Sequence, residues 1–483
     1  MVRYISNLLL VLCAVLFWGQ DILAGEFWYT KPPEPSPPPA PAHVNLSGIE
    51  VLDLQTVQKI ALENNPGLDA AAARVAQAKQ RVAQASSAYW PRIDADASGR
   101  RVWLSDVEKA SRLALARVFD PDATVDDPED QYNLGLSANY ALFTGFERKF
   151  ANAAASYGES QSLQAQQDAW RLLLAAVASG YYSAQLALQA IAIAKADEQF
   201  NQRQFSEAAA RRRVGVGSLS DELNFEVRVN SARTELINAQ REYEITLYAL
   251  SELMGIPSAR FPSGVTLEPL QPETHKDMQA PDAEAAIATA LKKRPDLLQI
   301  EYAIAQAEAD IGVARSDYYP RIGISGNIEG GRTDNPGFSV DEFGGSAALV
   351  LSYNLFSGGS KRATIREVKA RKTEFEKQLD QLRNTIAFEV REAAARVRQT
   401  QEQVVLQEAS LKLVEKNRDL VEKEYNAGQA SLVRLNEAQR DLTTTQGRLA
   451  LARVELRRAL KLLEAATGEI LSPYFKTLSS REP

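Results

Sequence analysis

The sequence predicts a mainly α-helical chain with a membrane β part. It is read as tandem-duplicated long antiparallel coiled-coil helices plus four β-strands that must pool with strands of other copies. Three observations lead there. The chain repeats itself. Each copy holds two stretches alternating apolar with polar residues. Each copy then continues through helices far longer than a globular core uses, patterned in sevens.

The repeat comes first, because it organises everything else. Ala61-Leu62-Glu63-Asn64-Asn65-Pro66 matches Ala290-Leu291-Lys292-Lys293-Arg294-Pro295, and Tyr89-Trp90-Pro91-Arg92-Ile93 matches Tyr319-Pro320-Arg321-Ile322, preceded by Tyr318, both at an offset of 229. Leu142-Phe143-Thr144-Gly145 matches Leu355-Phe356-Ser357-Gly358 and Gly215 matches Gly428, at an offset of 213. The first copy therefore carries 16 extra residues between Pro91 and Gly145.

Within each copy a short helix (Asp53–Asn64; Asp282–Lys293) precedes a proline. An Ala-, Arg- and Gln-rich helix follows (Pro66–Ala88; Pro295–Ser316) and stops at Trp90-Pro91 or Tyr319-Pro320. Leu134, Leu136, Ala138, Tyr140 and Leu142 then alternate with polar or small residues, as do Ile322, Ile324 and Ile328. Leu349, Leu351, Tyr353 and Leu355 repeat the pattern, and Ile93, Ala95 and Ala97 alternate with Asp94, Asp96 and Ser98. Period two over about ten residues is the mark of an outer-membrane strand. Strands are expected at 93–104, 132–143, 321–329 and 346–356. On this alternation Asp94 and Asp96 face a lumen.

From Gly145 and from Gly358 the chain runs helical for about 68 residues, roughly 100 Å. It turns at Gly215 or Gly428 and returns as a helix of about 40 residues. Leu435, Leu442, Leu449, Leu456 and Leu463 recur every seven, as do Val390, Val397, Val404 and Leu411. Strict sevens mean left-handed coiled-coil packing. The hairpins span 146–255 and 359–468, so the repeats run 49–256 and 282–471. Between them lies a linker, 257–281, and a tail, 472–483, follows.

The start of the chain reads as an address. Arg3, the apolar run Leu8–Trp18 and the small residues Ala24 and Gly25 make residues 1–24 a secretory signal. Cys13 follows the large Leu12, where a lipid-attachment cysteine wants a small neighbour. Residues 25–48 include Lys31–Pro41, a proline-rich extended spacer.

Composition excludes several functions. Among 483 residues, 62 are acidic and 55 basic, for a net charge of -7, so no nucleic-acid partner is expected. Two histidines, His43 and His275, and one cysteine leave no material for a zinc site, an iron–sulfur cluster or an internal disulfide. No cofactor, no metal and no catalytic residue is expected. No Gly-Lys-Ser/Thr phosphate loop is present either.

Four strands cannot close a barrel. An open sheet in lipid leaves unpaired backbone groups costing several kcal/mol each, and bacterial barrels have at least eight strands. Three chains would supply twelve. With helix following strand on the periplasmic side, Tyr89, Trp90, Tyr318 and Tyr319 fall at the membrane interface.

The duplicated order resembles the TolC-like outer-membrane efflux family. The residues carrying the resemblance are Ala61-Leu62 to Asn65-Pro66, Tyr318-Tyr319-Pro320, Phe143-Thr144-Gly145-Phe146, Phe356-Ser357-Gly358-Gly359, and Tyr425-Asn426-Ala427-Gly428 with Ser431-Leu432 and Glu437-Ala438-Gln439. It covers about residues 49 to 471. The resemblance implies a homotrimer in the cell outer membrane: a twelve-stranded barrel continued by a long periplasmic helical tunnel. It implies a passive exit duct docked to a periplasmic adaptor and an inner-membrane pump, exporting small molecules. The same fold serving type I protein secretion is one alternative. A soluble periplasmic coiled-coil scaffold is another.

Two sites follow from the resemblance. The turns at Val214, Gly215, Val216, Gly217 and Ser218, and at Ala427, Gly428 and Gln429, would be adaptor-docking tips. Read from the residues alone they are turn chemistry: glycine permits the turn, Ser218 or Ser220 caps the returning helix, and Arg211, Arg212 and Arg213 suit the end of the outgoing one. The positions matching the family's acidic periplasmic constriction are Arg434 and Glu437, three apart on one helix face. A solvated pair within the coil is the other reading. Asp120–Asp130, in the extra residues, resembles the opening of a calcium loop, but Val125 stands for the required glycine and Gln131 for the final glutamate. It reads as a solvated extracellular loop.

Overall fold

The computed structural model describes residues 50–474 apart from Ser263 and Asp334. The leader with Cys13, the proline-rich segment and the chain after Tyr474 lie outside the described residues.

A two-residue strand, β1 (Val51–Leu52), leads into α1 (Leu54–Asn64), which Asp53 caps through the Thr56 N–H. Pro66 occupies the first turn of α2 (Pro66–Ser87), where its missing N–H costs nothing, and the Asn65 side chain accepts from the Gly67 N–H. β2 (Arg92–Val102) runs out to a helix, α3 (Asp106–Ala116), and β3 (Glu129–Phe143) returns. Then come α4 (Glu147–Arg213) and α5 (Leu219–Leu253). After β4 (Thr266–Leu267) the order repeats: α6 (Ala283–Lys293), α7 (Pro295–Ser316), β5 (Arg321–Thr333), β6 (Phe343–Ser352), α8 (Ser360–Asn426) and α9 (Leu432–Thr467). Corresponding helices match in length: α2 and α7 are each 22 residues long, and α4 and α8 each 67.

The strands form one antiparallel sheet in the order β2-β3-β5-β6, so β2 and β6 are its two edges. Register separates the faces. Ile93, Ala95 and Ala97 pair with Ala138, Leu136 and Leu134, which continue onto Gly326, Ile328 and Gly330; Ile324 pairs with Leu349. The opposite face carries Asp94, Asp96 and Ser98 beside Ser137, Gly135 and Asn133, then Asn327 and Ser346. One face suits lipid and the other water.

Strand ends differ from those expected. β3 starts at Glu129 and β5 extends to Thr333 because Gln131 pairs with Thr333. The acidic stretch therefore gives its last two residues to a strand instead of the loop. β6 ends at Ser352, which faces Arg321, the first residue of β5, so residues 353–356 have no strand opposite them in this sheet. The extra residues of the first copy hold α3, which was not expected.

The long helices pack as α5, α4, α9 and α8 side by side, with α2 and α7 laid along α4 and α7 also against α8. The heptad residues Val390, Val397, Leu435 and Leu456 are fully buried, and so is Val177 of the first hairpin. Linker 257–281 contains β4, which pairs with β1 in parallel and closes a core around Leu52, Tyr181, Met254 and Leu267. The last described residues do not form a free tail. Tyr474 is buried and donates from its hydroxyl to Gln58 Oε1 at 2.7 Å. Among the described residues, no helix is long and apolar enough to cross a membrane.

Candidate functional site

Both hairpin tips end in left-handed glycines. Gly215 has φ 80° and Gly428 φ 75°, a conformation that glycine takes without the Cβ penalty. The Gly215 and Val216 N–H groups reach back to the carbonyls of Arg212 and Arg211; those of Gly428 and Gln429 reach Tyr425 and Glu424. These double closures satisfy carbonyls a helix end would otherwise strand. Ser218 caps α5 through the Ser220 N–H at 3.0 Å, and Ser431 caps α9 through the Arg434 N–H at 3.3 Å. Val214 and Val216 point outward, 73% and 78% exposed.

The two tips hold each other. Arg211 of α4 donates to Asn426 Oδ1 at 2.8 Å and lies 5.4 Å from the centre of the Tyr425 ring. Phe225 of α5 meets the same ring edge-on at 6.3 Å. Burial, then the charge of Asp221, pushes the Tyr425 phenol up, so it stays neutral at physiological pH. Sequence reasoning missed Arg211 as a link between hairpins, because nothing in one hairpin announces its neighbour.

Arg434 and Glu437 are both exposed on the first turns of α9. Arg434 bonds Glu424 of α8 at 3.0 Å, across the turn. The reason is reach. Glu424 sits at the end of the outgoing helix, facing Arg434, and both flank the Gly428 turn.

Where helices meet the sheet, aromatic side chains gather. Trp90 is 77% exposed, with Tyr89, Tyr318 and Tyr319 near half. Arg148 lies 5.1 Å from the Tyr89 ring centre and donates to the carbonyls of Ala88 and Leu142. Lys361 lies 5.6 Å from Tyr318 and 5.8 Å from Tyr353. Phe146 has φ 69°, unusual for a bulky residue, where the second copy has Gly359. Its ring packs edge-on against Phe143 and Tyr319, and that packing offsets the strain. The Phe-Thr-Gly-Phe motif was the available signal for Phe146.

Among the described residues, no group of three or more His, Cys, Asp or Glu is arranged to hold a metal. Asp94 and Asp96 sit on the polar sheet face.

The family model described as outer membrane efflux protein matches residues 57–256 and 286–469. The chain is similar to Protein CyaE of Bordetella pertussis, 28% identical over 445 residues that make up 90% of this chain and 87% of that one. It is similar to the alkaline protease secretion protein AprF of Pseudomonas aeruginosa, 27% identical over 65% of this chain and 63% of the relative. Its fold resembles the Campylobacter jejuni CmeC outer membrane channel at TM-score 0.73 and 16% identity, covering 89% of this chain and 90% of that chain.

Proposed function

The chain belongs to the outer membrane efflux protein family, a family of passive outer-membrane exit ducts, and we propose that three copies of it form one duct. Three sheets edge to edge, β6 of one copy against β2 of the next, close a twelve-stranded barrel with its apolar face to lipid and its polar face to water. The observation carrying this reading is the four-stranded sheet itself: two open edges, two faces of opposite character, and helices of about 100 Å continuing from its ends. The helices extend into the periplasm as a tunnel. The tips at Val214–Ser218 and Ala427–Gln429 dock a periplasmic adaptor, which couples the duct to an inner-membrane pump. Arg434 and Glu437 face the narrow end of the tunnel, and Tyr89, Trp90, Tyr318 and Tyr319 form the collar at the inner membrane–water boundary.

Efflux is tested by deleting the gene and measuring accumulation of a fluorescent pump substrate. Accumulation should rise and fall again on complementation; no change would contradict the efflux reading. The similarity to the alkaline protease secretion protein AprF favours a second reading in which the cargo is a protein. Loss of a polypeptide from the culture medium of the deletion strain, with unchanged dye accumulation, would select it.

A further inference from the structure

Helix α3 is peculiar to the first copy: among the described residues the β5–β6 connection holds no α-helix, only a short 3-10 turn. Ser105 caps α3 through the Glu108 N–H. Its outward side is largely apolar, with the exposed Ser111 among the apolar residues. Val107, Ala114 and Leu115 share that side, and Val118 and Phe119 prolong it past the helix end; Val107 is 81% exposed and Phe119 88%. An amphipathic helix that turns its apolar side outward lacks a partner in its own chain.

The polar side shows which way the helix leans. Arg112 bonds Glu129 at 2.9 Å and Lys109 bonds Asp127 at 3.4 Å. Glu129 pairs in register with Val102, so it lies on the same sheet face as Asp94, Asp96 and Asn133, the water-filled side. Arg101 and Asp130, one residue along each strand, pair on the lipid side instead. The tethers therefore draw α3 over the lumen. Reach allows it to arrive at the axis. Twelve strands about 4.8 Å apart, tilted about 40°, set the wall about 12 Å from the axis. Eleven residues of helix span about 16 Å. Helix α3 also springs from β2, the edge where the next copy must join.

We propose that the three α3 helices of the trimer meet over the outer mouth of the barrel, apolar side to apolar side, and form a cap that narrows the duct until cargo parts it. The occupant of each exposed stripe is the stripe of the other two copies, by threefold symmetry. This rests on the trimeric duct proposed above.

The test uses the mature trimer in detergent, which has no native cysteine once the leader is removed. Leu115→Cys and Phe119→Cys should give cross-linked dimers on denaturing gels with a short bismaleimide. Ala116→Cys, on the side facing its own chain, should not. Val107→Asp combined with Leu115→Asp should at least double single-channel conductance without altering trimer mass. Intact trimers that neither cross-link at 115 or 119 nor change conductance overturn the cap and leave the duct standing. Quenching of a Leu115→Trp fluorophore by brominated phospholipid overturns it too, by laying α3 on the bilayer. Absence of trimers overturns cap and duct together.

Discussion

Asn65 and Arg294 stand at the same point of the two repeats, and each donates a side-chain hydrogen bond to the carbonyl that ends its own hairpin. Asn65 Nδ2 reaches Leu253 O at 2.9 Å, and the Arg294 guanidinium reaches Ala466 O at 3.4 Å. The second copy has exchanged a neutral cap for a charge. Arg294 is 3% exposed and also bonds Asp296 at 2.5 Å and Glu389. Burial opposes ionisation of Asp296, yet its bond to Arg294 and the nearby charge of Arg171 hold the carboxyl below the usual carboxylate range.

Arg294→Met should therefore cost about 3 kcal/mol, since it strands a half-buried carboxylate. Asn65→Ala should cost about 1 kcal/mol. Asp296 adds a pH dependence of definite sign. Its lowered folded pKa contributes stability above the unfolded value, about 4, and this is lost as pH falls below that value. Circular-dichroism melts at pH 7 and pH 3 check both points. The parent should lose more stability on acidification than Arg294→Met does; equal losses would contradict the assignment.

The glycine tips make a second prediction. Nothing lies within 4 Å of a Cβ built on Gly428, so only backbone strain opposes a side chain there. That strain is about 1–2 kcal/mol. Gly428→Val should weaken adaptor cross-linking and export severalfold while trimer mass stays unchanged. Normal cross-linking and export would remove the tip from the docking surface.

Arg434 and Glu437 give a third. Glu437→Ala should raise conductance and lower cation preference in planar-bilayer recordings at low salt, where screening is weak. Arg434→Ala should raise conductance and increase cation preference, because it releases Glu424 as well as leaving Glu437 unopposed. Parent-like conductance and selectivity in both variants would mean that neither residue lines the constriction.

Much of this architecture was legible because it is periodic. The sevens from Leu435 to Leu456 and from Val390 to Val404 became buried seams, and the alternation at Leu134–Tyr140 became one sheet face. What stayed hidden was not periodic. The β1–β4 pair is two residues long on each side and joins segments about 215 residues apart. The Arg434–Glu424 bond crosses a turn, and Arg211 meets Asn426 from another hairpin. Each depends on where helix ends land in space. Helix α3 did carry a local sign, Ser105 three residues before Glu108, a capping pattern masked by the acidic run after it.

In the proposed duct one chain is a third of a barrel. Light scattering on the purified protein in detergent, corrected for bound detergent, measures this directly. The expected value is about three times the mass of one mature chain, because the edges at β2 and β6 can be satisfied in lipid only by other copies. A stable monomer in detergent-free buffer would contradict it.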